Sequence, residues 1–366
     1  MLDLTTPALL VDAAIVTRNC DRMREKATLS GVQFRPHVKT HKTVEIARLQ
    51  HGGNRGPITV STLAEAEAFA DAGFDDITYA VPVAPEKLER AAALARRIAR
   101  LNLLIDSELA LREVEAHAQR SGTPFDLFLK VDCGYHRAGV DPADPASVRL
   151  AQRMAESAGV RFQGLLTHAG HSYQAHGVEE LRRIAREESN SLTEFRSRLG
   201  SSLRGITRSV GSTPTASAVD RFDDCDEVRP GNYVFYDAFQ TAIGACRPQD
   251  IAVSVLATVV GSYPDRQEAI IDAGALALSK DRGAEHIDPQ CGFGVVCDLE
   301  LRPLPVRLTA LSQEHGKLST TVDLPVGTRV RVLPNHSCLT AAMYDRYHVL
   351  DERGRVAAEW RPVRGW

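Results

Sequence analysis

Three short segments of this chain carry residue types that packing alone does not require. The first is Arg35-Pro-His-Val-Lys-Thr-His-Lys42. In extended backbone alternate residues share a face, so Arg35, His37 and Lys39 are expected to point together, with Lys42 opening the next helix. A lysine among other cations has its charged form disfavoured, which leaves a neutral amine able to form a Schiff base with a carbonyl. By itself such a run reads equally as a solvated basic loop or a plain phosphate site. The second signal is a pair of small-residue turns, Gly211-Ser-Thr-Pro214 and Arg229-Pro-Gly-Asn232. Their N–H groups and hydroxyls suit a phosphate, although ordinary turns share this composition. The third is Pro334-Asn-His-Ser-Cys338. In an extended segment His336 and Cys338 lie on one side, and imidazole with thiolate suits Zn2+ better than Mg2+ or Mn2+. By spacing alone, a buried cysteine beside a satisfied histidine explains the same string.

The elements that must position these residues follow from the pattern around them. Between about residues 30 and 230, short β-branched or apolar runs alternate with stretches of helical spacing, the signature of parallel βα units. The strand candidates are Val32–Arg35, Ile58–Ser61, Asp76–Ala80, Leu101–Asp106, Asp126–Asp132, Phe162–His168, Ile206–Gly211 and Glu227–Arg229. Among the intervening runs, 84–100 sets Leu88, Ala91, Ala92, Leu94 and Ile98 on one stripe. Thr62-Leu-Ala-Glu65 reads as a capping box, with Gly73 at that helix's end. Eight such units without a GxGxxG turn predict an α/β fold built on a closed (β/α)8 TIM barrel over residues 8–244. After Ala245 the segments 251–263, 268–272, 306–311, 329–333 and 347–350 are β-rich, predicting a C-terminal all-β domain over 245–366, joined by residues 1–7.

In such barrels reacting groups come from the C-terminal strand ends, and the last βα loops often bind phosphate. This places Lys39 at the mouth and the two turns where a phosphate belongs, and together they imply pyridoxal 5′-phosphate (PLP). Asp132, Arg137, His136, His168, His171 and His176 fall on or near strand ends and are open to either structural or chemical roles.

Composition limits the rest. A chain of 366 residues is long enough for about two domains at roughly 150 residues each. With 44 Lys+Arg against 47 Asp+Glu, no net field draws it to nucleic acid or anionic lipid, so a small-molecule partner is expected. No apolar run approaches the about 20 residues of a membrane helix, and the first 16 residues do not read as a signal peptide. The seven cysteines are scattered without a CxxC, which fits reduced thiols and a cytoplasmic location.

Taken together the motifs resemble the fold-type III PLP enzymes related to the alanine racemase N-terminal domain, in particular D-serine dehydratases and their D-threonine aldolase relatives. The resemblance runs over nearly the whole chain. It is carried by TPALLVD at Thr6–Asp12, RPHVKTHKT at Arg35–Thr43, DCGYHRAG at Asp132–Gly139, Thr167-His168 and VGSTP at Val210–Pro214. RPGNYVFYD at Arg229–Asp237, DAG at Asp272–Gly274, EHG at Glu314–Gly316 and PNHSC at Pro334–Cys338 complete it. It implies that Lys39 carries PLP, that Arg137 lies near the cofactor's phenolic oxygen, His168 near its ring and Tyr173 by the ring or substrate. Ser212, Thr213, Gly231 and Asn232 are implied at the phosphate, and His336 and Cys338 as Zn2+ ligands, in a homodimer. His-x-Cys matches the dehydratases, whereas the aldolases carry His-x-Asp. The implied activity is elimination of the β-hydroxyl of a β-hydroxy-D-amino acid, D-serine first, giving pyruvate and ammonia. Alternatives are a D-threonine or 3-hydroxy-D-aspartate aldolase or dehydratase, or a non-catalytic PLP-binding protein.

Overall fold

The eight expected parallel strands all form, each within a few residues of its sequence signal. The computed structural model describes residues 3–366, which divide by contact into two units. One comprises residues 21–175, 179–231 and 363–366; the other comprises the chain up to Cys20, residues 176–178 and 232–362.

Ala8–Asp12 (β1) belongs to the second unit. The first contains β2 (Gln33–Phe34), β3 (Ile58–Val60), β4 (Asp76–Pro82), β5 (Arg100–Ile105), β6 (Phe125–Lys130), β7 (Val160–Leu166), β8 (Thr207–Val210) and β9 (Glu227–Val228). Their order is β2-β9-β8-β7-β6-β5-β4-β3, with every pairing parallel. A parallel bridge between His37 and Thr59, with the Thr59 N–H donating to Pro36 O at 2.9 Å, joins the two ends and closes the barrel. Leu104, Phe128 and Leu166, from β5, β6 and β7, form an apolar interior layer. The helix expected over 84–100 is shorter, Leu88–Ala95, because Pro85 opens a preceding 3-10 turn and Arg100 already pairs in β5. Thr62 caps its helix as expected, its hydroxyl accepting from Glu65 N at 3.0 Å.

The interior also contains a charged layer that corrects one expectation. Arg35 does not point into the mouth with His37 and Lys39. It is buried, with Nε on Glu227 Oε2 at 2.5 Å and Nη1 on Asp76 Oδ1 at 2.6 Å. A buried guanidinium needs paired carboxylates, and β4 and β9 supply them. Extended geometry persists to His37, whose N–H donates to Pro230 O at 2.9 Å, and then ends in the single 3-10 turn Val38–Thr40.

In the second unit β10 (Val253–Tyr263), β11 (Glu268–Ile271), β12 (Gly294–Cys297), β13 (Val306–Leu311), β14 (Gly316–Thr320), β15 (Arg329–Pro334), β16 (Tyr347–Leu350) and β17 (Val356–Trp360) share a nine-stranded sheet with β1. β1 lies within the range 8–244 expected for the barrel, although no strand was expected there. Instead it pairs antiparallel with β10 and parallel with β16, because ALLVD is apolar on both faces and fills a central position. Ala8 and Leu10 pack there on Leu256 and Leu350. Thr6 is tied to the same unit, its hydroxyl donating to Asp272 Oδ2 at 2.5 Å; of the segment 1–7, residues 1 and 2 lie outside the described residues.

Candidate active site and metal centre

Lys39 sits in the 3-10 turn at the C-terminal end of β2, half-buried, with its N–H donating to His37 Nδ1 at 3.3 Å. His37 and His168 are both held well below the ordinary imidazole range, first by burial and then by the Lys39 charge, with Arg229 adding to the effect at His37, and Lys130 and Arg137 at His168. Lys130, buried at the end of β6, is pushed down to about 7 by burial and then by Arg229. Six basic groups therefore converge on the mouth: Lys39, His37, Lys130, Arg137, His168 and Arg229. Lys42 stands apart, its Nζ paired with Glu65 at 2.8 Å. Arg137 is exposed and lies over the Tyr135 ring at 5.3 Å, which in turn meets the His168 ring edge-on at 6.4 Å. Asp132, by contrast, accepts from the N–H groups of Gly134 and His136 and shapes the turn that carries Arg137.

The two small-residue turns meet behind this cluster. His168 Nδ1 donates to Gly211 O at 3.0 Å, and Thr213 Oγ1 accepts from Gly231 N at 3.3 Å. Ser212 caps the helix Thr213–Ala218 and contacts Ser172 Oγ at 3.0 Å, tying the turn that carries half-buried Tyr173 to the same loop. Sequence reasoning missed the group that organises all of this. Buried Glu188 accepts from Ala169 N at 2.9 Å, Gly211 N at 3.1 Å and Thr215 Oγ1 at 3.2 Å. Its helical spacing, in the run 178–198, gives no sign of a carboxylate turned inward.

These residues fit PLP. The site is rich in cations, and its buried carboxylate, Glu188, is taken up by backbone N–H groups, as a dianionic phosphate with an aldehyde requires. The cradle is also sized for glycine. A Cβ on Gly231 would lie 2.9 Å from His37 O, and Gly211 has φ +135° with no room against Arg229 N. Gly231→Val is therefore expected to weaken PLP retention, measured as the cofactor concentration needed to restore absorbance after dialysis; unchanged affinity would move the phosphate elsewhere.

Asn232, expected at the phosphate with Gly231, has its side-chain amide engaged elsewhere. Its side chain lies in the second unit, donating to Asp237 Oδ2 at 2.7 Å, Ser337 Oγ at 2.8 Å and Cys338 Sγ at 3.6 Å. Fully buried Asp237 also accepts from Ser337 N at 3.0 Å, so Asn232 and Asp237 together fix the turn entering the helix Ser337–Ala342. On that turn His336 has its Nδ1 2.8 Å from Asp281 Oδ2. Burial opposes protonation of His336, but Asp281 and then Cys338 outweigh it and push the imidazole up to about 11. Surroundings that favour a proton so strongly also favour a metal cation. Nitrogen and sulfur donors, with a carboxylate behind the histidine, suit Zn2+. No group of three or more His, Cys, Asp or Glu side chains arranged for a metal occurs among the described residues.

Comparison with known proteins defines the class. The chain belongs to the family described as alanine racemase, N-terminal domain, whose profile matches residues 11–238, and a putative serine dehydratase domain profile matches residues 252–350. It is thus a fold-type III PLP enzyme, and its relatives are lyases. It is 41% identical, over 100% of this chain and 99% of the relative, to a D-threo-3-hydroxyaspartate dehydratase of Delftia sp. (strain HT23). To a D-serine dehydratase of Dictyostelium discoideum it is 38% identical, over 100% of this chain and 98% of the relative. A solved structure of a D-threo-3-hydroxyaspartate dehydratase, a cysteine-to-alanine mutant in the metal-free form, matches with TM-score 0.93 and 40% identity, covering 100% of this chain and 99% of that one.

Proposed function

We propose that the protein is a PLP- and Zn2+-dependent D-serine dehydratase that removes the α-proton and β-hydroxide of D-serine, giving pyruvate and ammonia. The observation that carries this reading is the His336–Cys338 pair, backed by Asp281, in a chain whose barrel has the cation-rich mouth of a PLP enzyme. PLP, when bound, supplies the electron sink that makes the α-proton acidic. Zn2+, when bound, supplies the Lewis acid that a poor leaving group such as hydroxide needs. Lys39 is the residue that anchors the cofactor and moves the α-proton, since its amine stands at the mouth beside two neutral imidazoles. Arg137, His168 and Tyr173 orient the ring and substrate, Ser212, Thr213 and Gly231 hold the phosphate, and Asn232 keeps the metal turn in place.

A second reading has its own support, because the Delftia relative acts on D-threo-3-hydroxyaspartate and shares 41% identity. Both reactions break the same bonds, so the choice lies in the substrate side chain. Zinc-loaded holoenzyme offered D-serine, D-threonine and the 3-hydroxyaspartates is expected to release pyruvate fastest from D-serine. Faster keto-acid release from D-threo-3-hydroxyaspartate selects the second reading, and glycine with an aldehyde selects an aldolase. No turnover of any of them points to a PLP-binding protein. The homodimer and a cytoplasmic location belong to the same reading, with sedimentation of the holoenzyme testing the first. No helix of the described residues is long and apolar enough to cross a membrane.

A further inference from the structure

We propose that Asp281 is a positioning residue of the metal centre, holding the His336 ring so that Nε2, and not Nδ1, is presented to the metal beside Cys338. The inference rests on the metal reading above. Asp281 lies in a segment that no sequence motif marks, 55 positions from its partner. An ionised carboxylate only accepts hydrogen bonds, so its 2.8 Å contact requires the proton on Nδ1 and makes Nε2 the nitrogen that a cation takes by displacing a proton.

The carboxylate is itself held. Its other oxygen accepts from Gly283 N at 2.7 Å, and Asp281 N donates to Ser279 Oγ at 3.3 Å. Asn335, the residue before His336, donates its side-chain amide to Asp281 O at 3.1 Å and to Gly292 O at 2.9 Å. Gly283, at φ +63°, lets this turn approach, since a Cβ there would lie 2.7 Å from Asn335 Cγ. The turn 279–283 is thus clipped to the segment that presents the ligands, and Asp281 reaches His336 from a fixed base. A carboxylate behind a ligating histidine fixes ring orientation and raises its basicity, and losing one typically costs 10–100-fold in metal affinity.

Asp281→Asn separates this role from turn formation. The amide oxygen can still accept from Gly283 N, while its NH2 then faces His336 Nδ1 and favours the proton on Nε2, where it blocks the metal. In the holoenzyme, zinc affinity is measured by competition with a chromophoric chelator, with cofactor absorbance and the melting temperature of the zinc-free protein followed in parallel. The expected result is a weakening of about 10–100-fold in Asp281→Asn, with absorbance and melting unchanged, and partial recovery in Asp281→Glu. Wild-type zinc affinity in Asp281→Asn would overturn the proposal, and so would a loss accompanied by lower melting of the zinc-free protein, which marks a purely structural role. If the wild-type protein itself holds no zinc, the metal reading fails first.

Discussion

Borohydride reduction of the purified holoenzyme, followed by peptide mapping, is expected to recover the pyridoxyl group on Lys39, and Lys39→Ala is expected to lose at least about 100–10,000-fold in keto-acid formation. Three lysines near the barrel mouth compete for this role, and charge alone does not choose among them. Lys42 is held by Glu65 at 2.8 Å, which ties its side chain to the following helix. Lys130 is pushed down to about 7 by burial and then by Arg229, but it is buried at a strand end. Lys39 stands in a one-turn helix where the main chain leaves β2, half-buried, with its charge reaching both His37 and His168. Nucleophilic catalysis needs an amine that substrate and cofactor can reach, and the reading proposed above rests on access at Lys39. Recovery of the label on Lys130 would show that ionisation outweighs access; recovery on Lys42 would show that the Glu65 pair opens.

Removal of zinc is expected to cut pyruvate formation by about a hundredfold or more while leaving cofactor absorbance intact, as a Lewis acid worth several kcal/mol implies. Two groups from the chain hold the ion in this reading, so losing either should suffice. Cys338→Ala is expected to match the chelated wild type, since a lone imidazole binds zinc weakly. That variant loses the 3.6 Å Asn232–Cys338 contact but keeps the Asn232–Asp237 and Asp237–Ser337 contacts that fix the turn, so a loss there reflects the ligand and not the fold. Cys338→Asp exchanges a soft donor for a hard one, which should shift metal preference toward Mn2+ and can raise retro-aldol cleavage of D-threonine. Steady-state rates with each metal, alongside metal content, check both outcomes. Metal-free enzyme that still forms pyruvate at the full rate would remove the Lewis-acid role. It would also leave the His-x-Cys motif without chemical meaning in this chain.

The amino-acid sequence by itself determined the repeating βα architecture and the small-residue turns at Gly211 and Gly231, and it marked Lys39 and the His336–Cys338 pair as candidates, although Lys39 lies in a 3-10 turn and Cys338 in a helix and not in extended chain. Each of these depends on local information: a period of two or 3.6 residues, a backbone conformation that only glycine tolerates, or a ligand spacing within one segment. The same local logic missed β12, β14 and β17, which are short or flanked by glycine and charge, and in β17 largely exposed. Tertiary structure alone decided the rest. Arg35 looked like a cation of the reacting cluster until Asp76 and Glu227, 41 and 192 positions away, neutralised it. β1 carried no strand signal and fell within the range assigned to the barrel, and its central place between β10 and β16 exists only once that sheet assembles. Glu188 and Asp281 carry no local mark, because an acidic residue on a helix or turn reads as solvated until the fold turns it inward. A carboxylate withdrawn from water, fully at Glu188 and in part at Asp281, is tolerated only where donors converge on it. Those donors, the N–H groups of Ala169 and Gly211 for one and His336 for the other, come from segments that meet only after the chain has folded.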